Sequence, residues 1–210
     1  MDEIYLPQFY AMVDQLNDHP DITITDIHFP DPASSMIVQL AKDLFVGSFP
    51  EGMEAFYREM DGFHLEWECS REAGAFNWPV VGAIEILPLS EVLKDWHGVT
   101  WFDFEEGERF KAVKPLDFFV EEACSALLYS EEAGFSRTIY YHQLGEALFN
   151  TGYDFYNYIE RLVAARGFWY WVETLCPETR ESPQARNFFI QMPLLFEDFN
   201  PELFVPGSLK

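Results

Sequence analysis

The chain has 210 residues, of which 49% are hydrophobic and 23% are charged, a composition that excludes a globally disordered or fibrous chain. Thirteen Lys and Arg residues stand against 36 Asp and Glu residues, which gives a formal net charge of −23 at pH 7. Because this charge repels phosphate and anionic lipid, we expect no nucleic acid and no membrane partner, and we expect attraction to cationic proteins.

The cysteines and the N-terminus indicate the compartment. Cys69, Cys124 and Cys176 form no short-spaced pair, which argues against a disulfide framework or a zinc site and favours a reducing environment. The N-terminus is acidic where a signal peptide needs positive charge, and no apolar run approaches the length of about 18 residues that indicates a membrane span. We therefore expect a cytoplasmic protein.

The first third of the chain has mostly helical periodicity. The sequence predicts a short helix over 5–17, an extended segment over 22–29, and a helix that Asp31 or Ser34 caps. Another amphipathic helix follows over 51–60. The apolar positions of the capped helix are Met36, Ile37, Leu40 and Leu44.

From residue 63 the apolar period changes from that of a helix to that of a strand. In FHLEWECS, apolar and polar residues alternate, which predicts a half-buried strand with Glu66 and Glu68 on its solvent side. A short helical turn is expected after Pro88 and a strand or loop over 99–106. Further strands are predicted over 80–87, 109–114, 124–129 and 137–142.

The last third returns to helix. Thr151 is the predicted N-cap of a helix over 153–165, and 168–175 is a second candidate. The Phe- and Pro-rich tail over 182–210 is expected to lack regular structure and to wrap over the core. The order of elements predicts one α+β domain over 1–210: a mostly antiparallel mixed sheet of about five or six short strands, with N-terminal and C-terminal helices packed on it.

Several segments carry a resemblance to a known family. They are the helix over 36–45, the Phe49-Pro50 that opens the next helix, FYREMDGFHLEWE with its Met60-Asp61-Gly62 turn, GAIEILPLSEVL, and FNTGYDFYNYIERLV. Together they resemble the SUKH superfamily, which is named after a fungal cell-wall-assembly regulator and is common among bacterial toxin-immunity proteins. The resemblance covers residues 34–166, and neither the N-terminal helix region 1–33 nor the aromatic, Pro-rich extension 167–210 has a counterpart in the family pattern.

This resemblance implies a small mixed sheet with helices packed on it, acting as a binding module without a cofactor. In bacteria such modules are frequently antidotes encoded beside a secreted nuclease or another toxin. The superfamily has no universal active-site residues, so the resemblance assigns no catalytic role in this chain.

Two acidic and aromatic patches are candidate partner-binding surfaces, since carboxylates pair with Lys and Arg and aromatic rings anchor interfaces. The alternative for the first patch is a solvated loop with its aromatic rings in the core, and for the second it is ordinary surface charge on an open sheet. The first patch comprises Trp96, Trp101, Phe102, Asp103, Phe104, Glu105, Glu106 and Glu108, and the second comprises Glu66, Trp67 and Glu68.

The sequence offers little support for catalysis. Its five histidines are scattered, and it contains no HExxH, Cys-x-x-Cys, calcium-loop, Gly-x-Ser-x-Gly or phosphate-loop pattern. We therefore expect no enzyme activity, metal or cofactor. A carbohydrate-active enzyme remains an alternative that would need a deep cleft with two acids of raised pKa and exposed tryptophans.

The combined expectation is a cytosolic immunity protein that neutralises a cognate, basic, nuclease-like toxin. Its negative field would speed encounter with the toxin, and buried aromatic contacts would slow dissociation. The alternative is a regulatory or scaffold protein of cell-envelope assembly that binds a host protein.

Overall fold

The computed structural model describes residues 4–47, 49–71, 78–104 and 108–207. Their strands are β1 (Ile22–His28), β2 (Phe63–Cys69), β3 (Val81–Ile86), β4 (Val113–Val120), β5 (Ala123–Ser130), β6 (Gly134–Phe135), β7 (Tyr140–Gln143) and β8 (Ala147–Asn150). Their α-helices are α1 (Leu6–Asp18), α2 (Ser35–Leu44), α3 (Met53–Glu59), α4 (Leu89–Val92), α5 (Phe155–Ala165) and α6 (Pro183–Leu195). Two 3₁₀ helices cover Trp171–Leu175 and Pro201–Leu203.

The strands form one antiparallel sheet in the order β1-β2-β3-β4-β5-β7-β8, with β6 paired to β5. This confirms the predicted α+β class and the antiparallel sheet, with eight strands in place of five or six. The two short strands β6 and β8 were not predicted. The strand expected over 109–114 is wrong in position, because β4 begins at Val113 and continues through Pro115 to Val120.

Helix caps decide where two of the helices begin. The Ser34 hydroxyl accepts the amide N–H of Ile37 at 3.2 Å, so Ser34 is the N-cap of α2. Asp154, not the predicted Thr151, caps α5 and accepts the amide N–H of Asn157 at 2.8 Å. Thr151 is buried, and its hydroxyl instead donates to the Ile139 carbonyl at 2.7 Å.

The main hydrophobic core lies between the helices and one face of the sheet. Helix α2 contributes Val38 and Ala41, whereas Met36, Leu40 and Leu44 are exposed, so the apolar repeat that predicts this helix does not mark its buried face. The largest fully buried side chains are Trp67, Trp171, Tyr5, Tyr57, Tyr141, Tyr158, Phe9, Phe56, Phe63, Phe119, Phe155 and Phe168.

The C-terminal extension packs on this core, as predicted, but it is not irregular. It contains α6, which the Ser182 hydroxyl caps by accepting the Ala185 N–H at 3.0 Å. Pro183 occupies the first turn, where a missing N–H costs nothing, and Pro193 lies in the last turn. The second helix expected over 168–175 is the shorter 3₁₀ helix Trp171–Leu175.

A smaller cluster covers part of the opposite face of the sheet. It lies over β4, β5, β7 and β8, and no hydrophobic cluster of the described residues covers the face of β1, β2 and β3 beside it. The buried members of this cluster are Trp101, Phe110, Val113, Cys124 and Ala126, with Phe118, Leu128, Leu144 and Leu148 packed against them.

None of the described helices is long and apolar enough to cross a membrane.

Candidate protein-binding site

The open face of β1, β2 and β3 is acidic because strand alternation separates two kinds of side chain. On β2, Phe63, Leu65 and Trp67 are buried in the main core, while Glu66 and Glu68 point the other way and are exposed. This placement of the two glutamates is the one that the sequence predicts.

Neighbouring strands add carboxylates to the same face. The register places Asp26 of β1 directly opposite Glu66, and it places Glu85 of β3 opposite His64. His64 lies between two of these acids, with Nε2 at 3.5 Å from Asp26 Oδ2 and Nδ1 hydrogen-bonded to the Glu85 carboxylate. The face therefore carries Asp26, Glu66, Glu68 and Glu85, together with His64 and its cross-strand neighbour His28 on β1.

Beside this face the sheet splits between β3 and β4. These two strands are in register only at Ile86 and Asp117. The segment 167–169 runs along the free part of β3 instead: the Ala83 N–H donates to the Gly167 carbonyl at 2.8 Å, and the Trp169 N–H donates to the Val81 carbonyl at 3.1 Å.

Two glycines make the close packing here possible: Gly82 leaves room for the Trp67 ring, and Gly167 lies directly against β3. A Cβ on Gly82 would lie 2.2 Å from Trp67 Nε1, an atom that donates to the Arg166 carbonyl at 2.6 Å. Gly167 has a φ of +66°, and a Cβ there would lie 2.4 Å from Ile84 Cγ1. The close approach carries Trp169 and Tyr170 to the edge of the acidic face.

The split and the acidic face together form a groove of about 660 Å³. The Tyr170 hydroxyl is hydrogen-bonded to the Glu122 carboxylate at its rim. None of the described residues that line it is Lys or Arg. We call it the acidic groove, and its lining includes Glu66, Glu68, Glu85, Glu121, Glu122, Trp169 and Tyr170.

Trp67 does not offer its ring to a partner, contrary to the sequence-based expectation. Only 2% of this residue is exposed, and its ring lies on the core side of β2, 6.3 Å from the Phe168 ring. The alternation that exposes Glu66 and Glu68 necessarily buries the residue between them.

Trp101 of the first predicted patch is also buried, which corrects its expected role as an exposed anchor. Its Nε1–H donates to the Asp95 carboxylate at 2.8 Å, and the Lys111 ammonium lies 4.7 Å from the centre of its ring. The hydrogen bond from Trp101 also lowers the pKa of the Asp95 carboxyl. Trp101 thus fastens the 95–104 segment to the sheet.

The exposed aromatic rings of this patch are Phe102 and Phe104. They stack with ring centres 5.7 Å apart and flank Asp103, which is exposed and pairs with His97 Nε2 at 2.8 Å. Glu108 is exposed as well. No periodicity in the sequence distinguishes these phenylalanines from Trp101, and Glu105 and Glu106 lie outside the described residues.

Phe118 connects the two patches. It lines the acidic groove, and its ring lies 5.5 Å from the half-buried ring of Trp96. Its neighbours Asp117 and Phe119 point to the main core, so Phe118 belongs to the opposite face of the sheet, together with Glu66. The structure thus places both predicted patches next to each other on one face.

Two carboxyl groups with raised pKa lie in the core and not in the acidic groove. Burial raises the pKa of Asp117 to about 7, and its carboxylate accepts the Glu85 N–H at 2.8 Å and the Tyr158 hydroxyl at 3.0 Å. Burial also raises the pKa of Glu173, which accepts the Tyr141 hydroxyl at 3.0 Å. The described residues contain no group of three or more His, Cys, Asp or Glu that could hold a metal ion.

Comparisons of the chain with protein-family models, with curated proteins and with solved structures find no match. The resemblance to the SUKH superfamily therefore rests on the sequence pattern alone.

Proposed function

We propose that the chain is a cytosolic immunity protein that binds and neutralises a cognate, basic, nuclease-like bacterial toxin. The observation that carries this proposal is the acidic groove, in which five carboxylates line a surface without a Lys or Arg among the described lining residues. A cationic protein would supply the missing positive charge.

The electrostatics support a fast encounter with such a partner. The net charge of −23 and the acidic groove give a negative field that steers a cationic surface toward this face. We expect this field to raise the association rate by about one to three orders of magnitude at low salt.

The exposed aromatic rings supply contacts that slow dissociation. Phe102 and Phe104 are exposed on the 95–104 segment, whose Trp96 ring contacts the groove-lining Phe118, and Trp169 is part of the groove lining. Rings that become desolvated in an interface carry a large share of the binding energy, whereas rim charges contribute mostly to rate and orientation. Neutralisation by such a complex needs no chemistry from this chain.

The test is co-purification of the tagged chain from its native host, followed by an activity assay of the captured protein. We expect a basic partner whose activity falls to zero at one equivalent of this chain and returns when Glu66→Lys/Glu68→Lys replaces it. A captured host protein of envelope assembly would establish the regulatory alternative instead. Turnover of a carbohydrate by the purified chain would overturn the proposal in favour of an enzyme.

A further inference from the structure

A second, smaller cavity adjoins the acidic groove. It has a volume of about 230 Å³, and we call it the aromatic slot. Trp169 and Tyr170 line both the slot and the groove, so the two are neighbours separated by these side chains. Cavities for whole small-molecule ligands measure about 300–1,000 Å³, so the slot fits a single side chain better than a free ligand. Its lining consists of Trp78, Pro79, Phe168, Trp169, Tyr170, Gln184 and Asn187.

Asn187 gives the slot a polar wall. Only 5% of this residue is exposed, and its side-chain amide makes no hydrogen bond with any described residue. Its amide atoms are not fully enclosed, so water hydrates them while the slot is empty, and a hydrogen-bonding group that enters the slot would take the place of that water. The slot therefore favours an occupant that carries polar hydrogens as well as a flat apolar surface.

The backbone holds the aromatic walls in place before anything binds. Tyr170 has a φ of +60°, a conformation that a non-glycine residue adopts at a cost of about 1 kcal/mol or more. Its ring meets the Phe119 ring edge-on at 6.3 Å, and its hydroxyl is hydrogen-bonded to Glu122. Backbone strain retained at a half-buried aromatic residue next to a cavity is typical of binding sites.

We propose that the aromatic slot receives an arginine side chain of the cationic partner, an inference that rests on the proposed function. A planar guanidinium stacks on the Trp169 ring, to which the Tyr170 ring is nearly perpendicular at 82°, donates to the Asn187 amide oxygen, and keeps its charge near Glu122, which is hydrogen-bonded to Tyr170. Lysine has no planar face for stacking, so arginine is the better fit.

Two arginine side chains of this protein already pack over aromatic rings inside its own fold. The Arg161 guanidinium lies 3.7 Å from the centre of the Tyr153 ring, and the Arg166 guanidinium lies 3.9 Å from the centre of the Phe196 ring. The slot offers the same kind of surface to an arginine from outside.

The test uses the full chain with its six tryptophans replaced by fluorotryptophan, observed by fluorine NMR. The probes are the acetylated, amidated tripeptides Gly-Arg-Gly, Gly-Lys-Gly and Gly-citrulline-Gly. Citrulline has nearly the shape of arginine without its charge. We expect the arginine peptide to shift the resonances of Trp78 and Trp169 saturably, with an affinity about tenfold above that of the other two peptides.

Two variants test whether the aromatic slot is the site that binds the arginine peptide. Asn187→Leu keeps the number and branching of the side-chain heavy atoms and is expected to abolish the preference for arginine, whereas Tyr156→Ala removes an exposed ring outside the slot and is expected to leave the titration unchanged. Equal affinity for all three peptides, or arginine-induced shifts only at other tryptophans, would overturn the proposal.

The experiments distinguish a failure of the arginine site from a failure of the proposed function. If the arginine peptide binds in the slot but no basic protein is captured from the host, the slot stands and the proposed function fails. If a basic toxin is neutralised and Trp169→Ala leaves its dissociation rate unchanged, the function stands and the arginine site is wrong.

Discussion

Arg166 and Asp198 are joined by two hydrogen bonds, because Arg166 Nη2 lies 2.8 Å from both carboxylate oxygens of Asp198. Arg166 ends α5, has a φ of +52° and is 4% exposed, and it also donates to Gln15 Oε1 at 2.7 Å. Asp198 belongs to the C-terminal extension. This pair therefore fastens α1, α5 and the extension at one point.

Asp198→Ala is expected to lower the free energy of unfolding by about 1–2 kcal/mol, since it leaves a buried guanidinium without its carboxylate. The cost stays moderate because Asp198 itself is largely exposed and water can reach the site. Urea unfolding measures the change, and Glu197→Ala, an exposed neighbour, serves as the control. Equal unfolding midpoints for the two variants would show that the pair does not hold the extension.

Gly167→Ala tests whether the segment 167–169 packs closely against β3, a contact that shapes the acidic groove. Gly167 and Gly145 both have positive φ, at +66° and +74°, so alanine costs a similar backbone strain of about 1 kcal/mol at either position. A Cβ on Gly145 meets nothing within 4 Å, whereas one on Gly167 clashes with Ile84. We expect Gly167→Ala to cost about 1–3 kcal/mol more than Gly145→Ala in urea unfolding. A difference near zero would mean that 167–169 does not pack on β3 as described.

His142 is expected to make the protein sensitive to acid. It is buried with both ring nitrogens unpaired, and burial together with nearby Arg109 lowers its pKa from 6.5 to about 4. Between these values the unfolded chain binds a proton that the folded chain does not, so this group removes up to about 3 kcal/mol of stability as pH falls from 6.5 to 4.

The measurement compares the wild type with His142→Phe, because the raised pKa of Asp117 shifts the stability in the opposite direction over the same range. The advantage of His142→Phe in unfolding free energy should grow steadily as pH falls from 7 to 4. The exposed Met36 provides the control Met36→Gln, which exchanges no titratable group, so its difference from wild type should stay constant with pH. A pH-independent difference for His142→Phe would contradict the prediction.

Trp101 and Phe104 should have opposite roles. Trp101→Ala removes a buried ring and its hydrogen bond to Asp95, and we expect it to cost about 3 kcal/mol or more in unfolding free energy. Phe104→Ala should change stability by less than about 0.5 kcal/mol, because this ring is 57% exposed, but it should raise the dissociation rate of the captured partner. If Trp101→Ala instead left stability unchanged and raised the dissociation rate, while Phe104→Ala lowered stability, Trp101 would belong to the interface.

Strand β2 could be predicted from the sequence because its alternation is unbroken, and the exposed side of Glu66 and Glu68 followed from it. Strand β4 could not, since it is buried on both faces and Pro115 and two register shifts interrupt its pattern. Helix α6 was missed because Pro183 and Pro193 count against a helix unless their places in its first and last turns are known.

The acidic groove was only half predictable. Its carboxylates on β2 are local in sequence, but Trp169 and Tyr170 reach the groove, and Asn187 reaches the adjoining aromatic slot, through tertiary contacts that no periodicity indicates. The 99–104 segment has no regular period, so the sequence could not tell that Trp101 is buried and Phe104 is exposed.

The most direct test of the account is the rate of association with the captured partner, measured by stopped flow as salt rises from about 0.02 to 0.3 M. The matched variants are Glu66→Lys/Glu68→Lys in the acidic groove and Glu178→Lys/Glu202→Lys on exposed positions elsewhere, which change the net charge equally. We expect the groove variant to associate about tenfold more slowly at low salt and with a flatter salt dependence, while the second variant stays close to wild type. Equal rates for the two variants, or a wild-type rate that does not change with salt, would contradict binding through the acidic groove.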